Sequence, residues 1–152
     1  MTRMPIQVHV YLYREKNNIF EYAVFQRKDL PVCWQGVCGG LEDDETPEEG
    51  ARRELLEEAG INEKLPLSKL ESISYLPDYL FNENTRMIWG KDVIVIPMYF
   101  FAMQYDGNIK LSDEHIDTKW LNYEEAEKLI YFRDQKIALY ELNERLLRNL
   151  RD

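Results

Sequence analysis

The amino-terminal part of the chain has a regular pattern of apolar and polar positions. Residues 8–13 carry aliphatic side chains at every second position, which is the period of a β-strand. Residues 14–18 are polar and favour a turn, and the apolar pattern resumes over residues 20–26. The two apolar runs therefore predict a β-hairpin.

A second β-rich run covers residues 93–104. It shows little alternation, which is typical of a strand covered on both faces. Asp106 and Gly107 follow it and favour a tight turn.

The first of three predicted helices has clear signals at both ends. Thr46 is a candidate N-cap, Pro47 suits the first helical position, and Glu49 completes a Thr-x-x-Glu capping box. Gly60 ends this helix as a C′ residue, so its length is about fourteen residues.

Two further helices follow near the carboxyl end. Asn122 and Glu125 repeat the capping pattern for a short helix through Ile130. From Arg133 onward, leucines recur at spacings of three and four, as in an amphipathic helix. These leucines are Leu139, Leu142, Leu146 and Leu150. Strands mixed with three helices predict an α/β fold with helices against a mixed sheet, and the absence of repeats or linkers predicts one domain over residues 1–152.

The composition narrows the class of function. Of the 152 residues 45% are hydrophobic, and 28 acidic residues against 19 Lys and Arg give a formal net charge of −9. A polybasic nucleic-acid binder or a protein of anionic membrane surfaces needs an excess of cations instead. A phosphate substrate stays compatible with this charge if metal ions supply the positive charge.

No segment predicts a membrane span or an export signal. The longest apolar stretch, residues 93–103, is interrupted by Pro97 and is far shorter than the roughly 20 residues that cross a bilayer. The first five residues lead directly into a strand pattern, so we expect a cytoplasmic protein. Cys33 and Cys38 have no CxxC spacing and no nearby His, which predicts buried or half-buried thiols.

The first helix carries three carboxylates close together. Successive residues of a helix are rotated by about 100° around its axis. On this basis, one sector of the helix surface is predicted to face the core and another to be acidic. The core sector contains Ala51, Leu55, Leu56 and Ala59, and the acidic one contains Glu54, Glu57 and Glu58. Like charges at these spacings repel each other, and the helix dipole disfavours anions near the last turn. A bound hard divalent cation such as Mg²⁺ would offset both the mutual repulsion and the unfavourable helix dipole. The alternative is that the carboxylates form an ordinary acidic face in contact with solvent.

The loop before this helix adds a second feature. Gly39 and Gly40 allow the backbone to approach a ligand without an intervening side chain, although an ordinary turn would use glycines too. Glu45 and Arg53 could pair and hold this loop against the helix.

These residues together carry a resemblance to a known family. The segment matches every fixed position of the Nudix box, G-x5-E-x7-R-E-U-x-E-E-x-G-U, where U is aliphatic. The matching residues are Gly39, Glu45, Arg53, Glu54, Leu55, Glu57, Glu58, Gly60 and Ile61. The chain resembles Nudix hydrolases, which cleave nucleoside diphosphates linked to another moiety. The resemblance implies an α/β/α sandwich with a mixed sheet and a loop-helix-loop catalytic motif.

The resemblance also implies roles for particular residues. Glu54, Glu57 and Glu58 would hold Mg²⁺ or Mn²⁺, with the carbonyl of Gly39 as a further ligand, and a metal-activated water would attack phosphorus. Glu54 is one candidate for the general base. Among the motif residues, Glu45, Arg53 and Gly60 would be structural.

Candidate substrate contacts lie around the box. Arg27 and Lys28 could bind phosphate or be ordinary surface cations, and the backbone of Gly40 could approach the substrate. Trp34 could stack on a base or pterin ring or belong to the core. The same two alternatives hold for Tyr75, Tyr79 and Trp89.

Outside the box, three short segments are similar to a subgroup of this family. They are Trp34-Gln35, Glu114-His115 and Lys119-Trp120-Leu121. The subgroup contains bacterial dihydroneopterin triphosphate and dATP pyrophosphohydrolases, in which the Glu before His binds metal. The resemblance therefore implies Glu114 as a further metal ligand, with an ordinary loop acid as the alternative.

The expected function is Mg²⁺-dependent hydrolysis of a nucleoside triphosphate or of dihydroneopterin triphosphate. Hydrolysis of a sugar nucleotide, a dinucleoside polyphosphate or ADP-ribose is a second hypothesis, and a non-catalytic ligand sensor is a third. The complete box favours catalysis. We expect a small-molecule substrate, with neither a nucleic-acid polymer nor a membrane as partner, and the sequence leaves monomer and homodimer open.

Overall fold

The computed structural model describes residues 3–150, which form a seven-stranded mixed sheet with helices on both faces. The strands are β1 (Arg3–Lys16), β2 (Ile19–Arg27), β3 (Trp34–Gln35), β4 (Val37–Glu42), β5 (Ser68–Pro77), β6 (Val95–Gln104) and β7 (His115–Asn122). The helices of this part of the chain are α1 (Pro47–Ala59), α2 (Glu83–Trp89), α3 (Tyr123–Leu129) and α4 (Arg133–Leu147), with a 3₁₀ turn at Asp78–Leu80.

Strand β1 organises the sheet. The strand order is β3-β2-β1-β6-β5, with β6 parallel to β1 and β7 paired with β2. The first part of β1, up to Val10, pairs with β4, whereas its last residues pair with β2. The strand that carries the two glycines of the box is therefore attached directly to the centre of the sheet.

Each face of the sheet has its own apolar core. Helix α1 covers one face, where Leu55 packs with Leu41 and Phe101. Helices α3 and α4 cover the other face, where Leu139 packs with Tyr11. The predicted α/β arrangement, with helices on a mixed sheet, is confirmed.

The hairpin is present, but its turn is shorter than predicted. Strand β1 continues through residues 14–16, and only Asn17 and Asn18 form the turn, with φ of 54° and 64°. The polar residues 14–16 stay extended because they pair with β2, where Arg14 forms an ion pair with Glu21. The tight turn predicted at residues 106–107 is wrong, because the chain only bends at Gly107.

The helix ends follow from their sequences. The hydroxyl of Thr46 accepts from the backbone of Glu49, whose carboxylate accepts from the backbone of Thr46, and Gly60 ends α1 with φ of 72°. Asn122 caps α3. Helix α4 ends at Leu147, so Leu150 lies beyond it and is exposed, contrary to the predicted stripe. Helix α2 and the strands β3, β4, β5 and β7 were not predicted. The placement of Gly39 and Gly40 in a loop is wrong, because both lie in β4, which pairs with β1.

The predicted division of α1 into two faces is partly wrong. Leu56 is 48% exposed, whereas Glu54 and Glu58 are only 7% and 4% exposed. On a helical wheel Glu58 lies about 20° and Glu54 about 60° from Ala51, so both border the apolar sector. The carboxylates are therefore partly enclosed by the protein.

Two smaller predictions concern the cysteines and the membrane. Cys33 is buried, Cys38 is half-buried, and both are free thiols. Within residues 3–150, no helix combines the length and the apolar character that crossing a bilayer requires.

Candidate active site

A large cleft of about 1100 Å³ is lined by residues from both ends of the chain and from its middle. One wall consists of α1 and the glycine strand β4, and the segment before β7 borders it. The opposite wall consists of β5, the segment between β5 and α2, and the start of α4.

The carboxylates of α1 form the acidic end of this cleft. Glu54, Glu57 and Glu58 each place a carboxylate oxygen within 4.8 Å of the other two. Three anions at this distance repel each other strongly where solvent is partly excluded. Because all the donors are carboxylate oxygens, the cluster suits a hard divalent cation.

Gly39 is required where the helix meets the strand. A Cβ atom on Gly39 would clash with the carboxyl group of Glu54, so any other residue would push this carboxylate aside. The carbonyl of Gly39, an expected metal ligand, accepts a hydrogen bond of 3.2 Å from Gln7 when the amide is oriented to satisfy both its ends.

Arg53 connects the loop to the acidic cluster. Its guanidinium binds both oxygens of Glu45, at 2.7 and 3.0 Å, and donates to the carbonyl of Gly40 at 2.7 Å. It also donates to Glu54 at 2.9 Å and to Glu57 at 3.1 Å. The bond from Arg53 holds the pKa of Glu45 below its ordinary value. Arg53 therefore fixes the loop and neutralises part of the cluster's charge.

Glu54 is electrostatically unusual. Burial raises its pKa from 4.5 to about 7, and the nearby Arg53 offsets only part of this effect. A carboxyl with this pKa exchanges protons near neutral pH, which is the property a general base needs.

The segment before β7 brings a second group of residues to the cluster. Ser112 donates to Glu58 at 2.7 Å and accepts from the backbone of Glu114 at 3.2 Å. Burial and the adjacent Glu58 raise the pKa of Glu114, so this carboxyl lies beside the three of α1. Nδ1 of the buried His115 is 3.1 Å from Glu58 but is not aligned for a hydrogen bond. Nothing in the sequence pattern indicated Ser112.

The residues predicted to contact the substrate differ in whether they line the cleft. Arg27 and Lys28 both line the cleft, but Arg27 is bound by both oxygens of Asp29, at 2.9 and 2.6 Å. Gly40 also lines the cleft, whereas Gly60 only ends α1. Trp34 does not line the cleft, because its side chain packs in the core under α3 and α4.

The opposite wall combines apolar and polar groups. Leu76, Met98 and Phe132 line it. Ser74 donates to Asp134 at 2.9 Å. Buried Gln135 donates a long bond of 3.4 Å to Gln35 and leaves its own amide oxygen unpaired. Such a surface can accept a ring with polar edges.

The aromatics of the 75–89 region do not form a stacking site. Tyr75 and Tyr79 are exposed and lie outside the cleft lining. Trp89 packs against Phe81, with 5.0 Å between ring centroids, and its indole donates to the backbone carbonyl of Arg3 at 2.7 Å. Arg3 and Phe81 themselves line the cleft, although no sequence signal indicated either residue.

Comparison with known proteins agrees with this architecture. Residues 3–142 match the family model for the NUDIX domain. The chain is 30% identical over 125 residues to the asymmetrical bis(5′-nucleosyl)-tetraphosphatase of Sus scrofa, covering 82% of this chain and 80% of that protein. It is 27% identical over 120 residues to the dihydroneopterin triphosphate diphosphatase of Haemophilus influenzae, covering 78% and 75%. The crystal structure of a NUDIX hydrolase of Listeria monocytogenes superposes with a TM-score of 0.84 at 34% identity, covering 97% of both chains.

Proposed function

We propose a function from one premise: the chain belongs to the NUDIX family and is a pyrophosphohydrolase of that family. The finer proposal is that it hydrolyses a phosphoanhydride bond of a nucleoside triphosphate or of dihydroneopterin triphosphate, and that this reaction depends on Mg²⁺ or Mn²⁺.

The acidic cluster is the observation that carries this proposal. Glu54, Glu57 and Glu58 would hold the divalent ion, with Glu114 beside them. The cluster fits such an ion because its donors are all carboxylate oxygens and because burial leaves Glu54 with a costly charge. When bound, the ion supplies charge neutralisation for the phosphates and a more acidic water.

The chain's own residues supply the remaining chemistry. Glu54 would accept the proton of the attacking water, because its carboxylate lies within the acidic cluster. Arg53 holds Glu54 and the glycine strand β4 in place. Lys28 contacts the phosphate chain at the acidic end, and the opposite wall receives the rest of the substrate.

A dinucleoside polyphosphate is the second candidate substrate. The similarity to bis(5′-nucleosyl)-tetraphosphatase favours it, and the cleft volume of about 1100 Å³ lies just above the usual range for small-molecule sites, about 300–1000 Å³. Sugar nucleotides and ADP-ribose need the same acidic end and different contacts on the opposite wall.

A substrate panel tests these proposals. The panel contains nucleoside triphosphates, dihydroneopterin triphosphate, diadenosine tetraphosphate, ADP-ribose and a sugar nucleotide, each with Mg²⁺, Mn²⁺ or EDTA. Released phosphate and pyrophosphate are measured separately. We expect the highest kcat/KM for a triphosphate and no turnover with EDTA. Turnover that persists in EDTA would contradict the metal dependence, and no turnover of any compound would favour the ligand-sensor hypothesis.

Three further predictions stay predictions. They are a single domain over residues 1–152, a cytoplasmic location, and a small molecule as the binding partner, with neither a membrane nor a nucleic-acid polymer. The Gly39 carbonyl also stays a predicted metal ligand.

A further inference from the structure

We propose that Arg3 binds the phosphate chain of the substrate and that the segment of residues 78–89 holds it in place. The inference rests on the proposed function, because it assigns a further contact within the same cleft. Arg3 lies at the start of β1 and lines the cleft next to the glycine strand.

Four contacts fix Arg3. Its backbone carbonyl accepts from the indole of Trp89 at 2.7 Å, and its guanidinium lies over the ring of Phe81, 5.3 Å from the centroid. Nη2 donates to Gln7 at 2.6 Å when that amide is oriented to satisfy both its ends. Nε lies so close to Gly40 that a Cβ atom there would be 2.3 Å away. An arginine side chain normally has many rotamers, so this one is already ordered before a ligand binds.

The charge of Arg3 is not balanced by a carboxylate. Arg53 and Arg27, which also line the cleft, have carboxylate partners at 2.6–3.3 Å. Among residues 3–150, no carboxylate lies within 4.0 Å of the guanidinium of Arg3, and its Nε is buried without a hydrogen-bond partner. In a chain with nine more negative than positive charges, an ordered arginine without a carboxylate partner is available for an anionic ligand.

The position of Arg3 identifies the phosphate chain as that ligand. Gly39 contacts the carboxylate of Glu54, and the next residue, Gly40, contacts Arg3. These two contacts lie on opposite faces of β4, and Gln7 links them. Its amide, oriented as above, accepts from Nη2 of Arg3 at 2.6 Å and donates to the Gly39 carbonyl at 3.2 Å, so Arg3 lies close to the acidic end. Guanidinium groups bind phosphate oxygens through two parallel hydrogen bonds, which favours arginine over lysine here.

Direct binding of inorganic tripolyphosphate tests the proposal without requiring turnover. Affinities are measured by calorimetry in Mg²⁺ for the wild type, Arg3→Gln, Arg3→Lys and Arg86→Gln. Arg86 is the matched control, because it lies on nearby α2, is exposed and does not line the cleft. We expect Arg3→Gln to weaken binding about ten- to hundredfold, Arg3→Lys to weaken it less, and Arg86→Gln to leave it unchanged.

The outcomes separate this inference from the proposed function. Equal affinity of Arg3→Gln and wild type, or no binding of tripolyphosphate by the wild type, would overturn the inference. Binding that depends on Arg3, in an enzyme that hydrolyses no compound of the panel, would support the inference and refute the proposed function. Equal losses in Arg3→Gln and Arg86→Gln would show a general charge effect and would also overturn the inference.

The positioning role of the 78–89 segment has its own test. Trp89→Phe keeps an aromatic ring but shortens it and removes the N–H that holds the Arg3 carbonyl. We expect KM for the best substrate to rise about fivefold at constant kcat, with the midpoint of thermal unfolding unchanged. In the Arg3→Gln background the same change should have no further effect on KM. A lower kcat, or additive effects on KM, would contradict a role exerted through Arg3.

Discussion

The two walls of the cleft differ in how their residues are distributed along the chain. The acidic wall comes almost entirely from residues 39–61, in which a capped helix and the preceding strand are held together by Arg53. The rest of the lining comes from distant segments: Arg3 beside the glycine strand comes from β1, and the opposite wall takes Ser74 from β5, Phe81 from a loop and Asp134 from α4.

We infer from this difference that the two walls have different roles in the proposed reaction. In the proposed function the acidic wall would supply carboxylates for a divalent cation and for the proton of the attacking water. The opposite wall offers apolar side chains and polar groups such as Ser74 and Asp134, which we propose contact the part of the substrate beyond the phosphates. We therefore expect substitutions on the acidic wall to lower kcat and those on the opposite wall to raise KM.

The largest effect should come from Glu57→Gln. This side chain is exposed, so the change removes a charge from the cluster without disturbing the core. We expect kcat to fall about 10²–10⁴-fold in Mg²⁺, because several kcal/mol of charge stabilisation depend on the cation. The unfolding midpoint should change little, and Glu58→Gln should lose turnover as well. Full activity of Glu57→Gln would refute the assigned site.

The adjacent glycines allow the acidic cluster and Arg3 to be perturbed one at a time. In Gly39→Ala the new Cβ displaces the Glu54 carboxylate, whereas in Gly40→Ala it displaces Arg3. We expect Gly39→Ala to lower kcat about 10–100-fold and Gly40→Ala mainly to raise KM, about tenfold. Steady-state kinetics with the same substrate give both parameters. The same change of kcat and KM in both variants would show that the acidic cluster and Arg3 do not act separately.

Metal binding should depend on pH through Glu54. Its pKa of about 7 in the folded protein lies above the ordinary 4.5, so the protonated form is favoured by folding. This contribution to the stability of the metal-free protein is present below pH 4.5 and is lost as the pH rises through 7. A cation must displace the proton, so affinity for Mg²⁺ should rise between about pH 5.5 and 8.

Calorimetry in two buffers of different ionisation enthalpy measures this proton release directly. Near pH 6 we expect net release of protons when Mg²⁺ binds, and Glu54→Gln should abolish it. An affinity that stays constant over this range would contradict the raised pKa.

The smallest effect on catalysis should come from Trp34→Phe, which tests the stacking role considered for Trp34. Its side chain packs in the core and does not line the cleft. We expect the free energy of unfolding to fall by about 1–3 kcal/mol, measured by urea denaturation, with KM and kcat within about twofold of wild type. A large rise in KM with unchanged stability would place Trp34 back among the substrate contacts.

Much of the fold was predictable because the signals were local. The capping box at Thr46, the glycine at residue 60 and the period-two pattern of β1 depend on neighbours within a few residues. Helix α2 and strand β5 escaped prediction because their patterns are weak. Most of α2 is exposed, and β5 buries only two of its ten residues, Leu70 and Ser74.

The exposure of individual side chains was less predictable than the elements themselves. The prediction placed Leu56 in the sector facing the core and Glu54 and Glu58 in a separate acidic sector, whereas Leu56 is 48% exposed and both glutamates are buried. The angles put these glutamates at the border of the apolar sector, but they do not give the width of the surface that covers the helix. Strand β4 and the segment around Ser112 enclose the helix face that carries these carboxylates.

By itself, the sequence determined that Glu54, Glu57 and Glu58 lie close together, because a helix converts fixed spacings into a fixed spatial arrangement of carboxylates. Only the tertiary structure decided which residues face them. Arg3, Phe81 and Trp89 meet because parallel pairing of β1 with β6 places distant segments side by side. No local spacing in the sequence encodes these contacts, because they depend on strand register and on packing across the whole sheet.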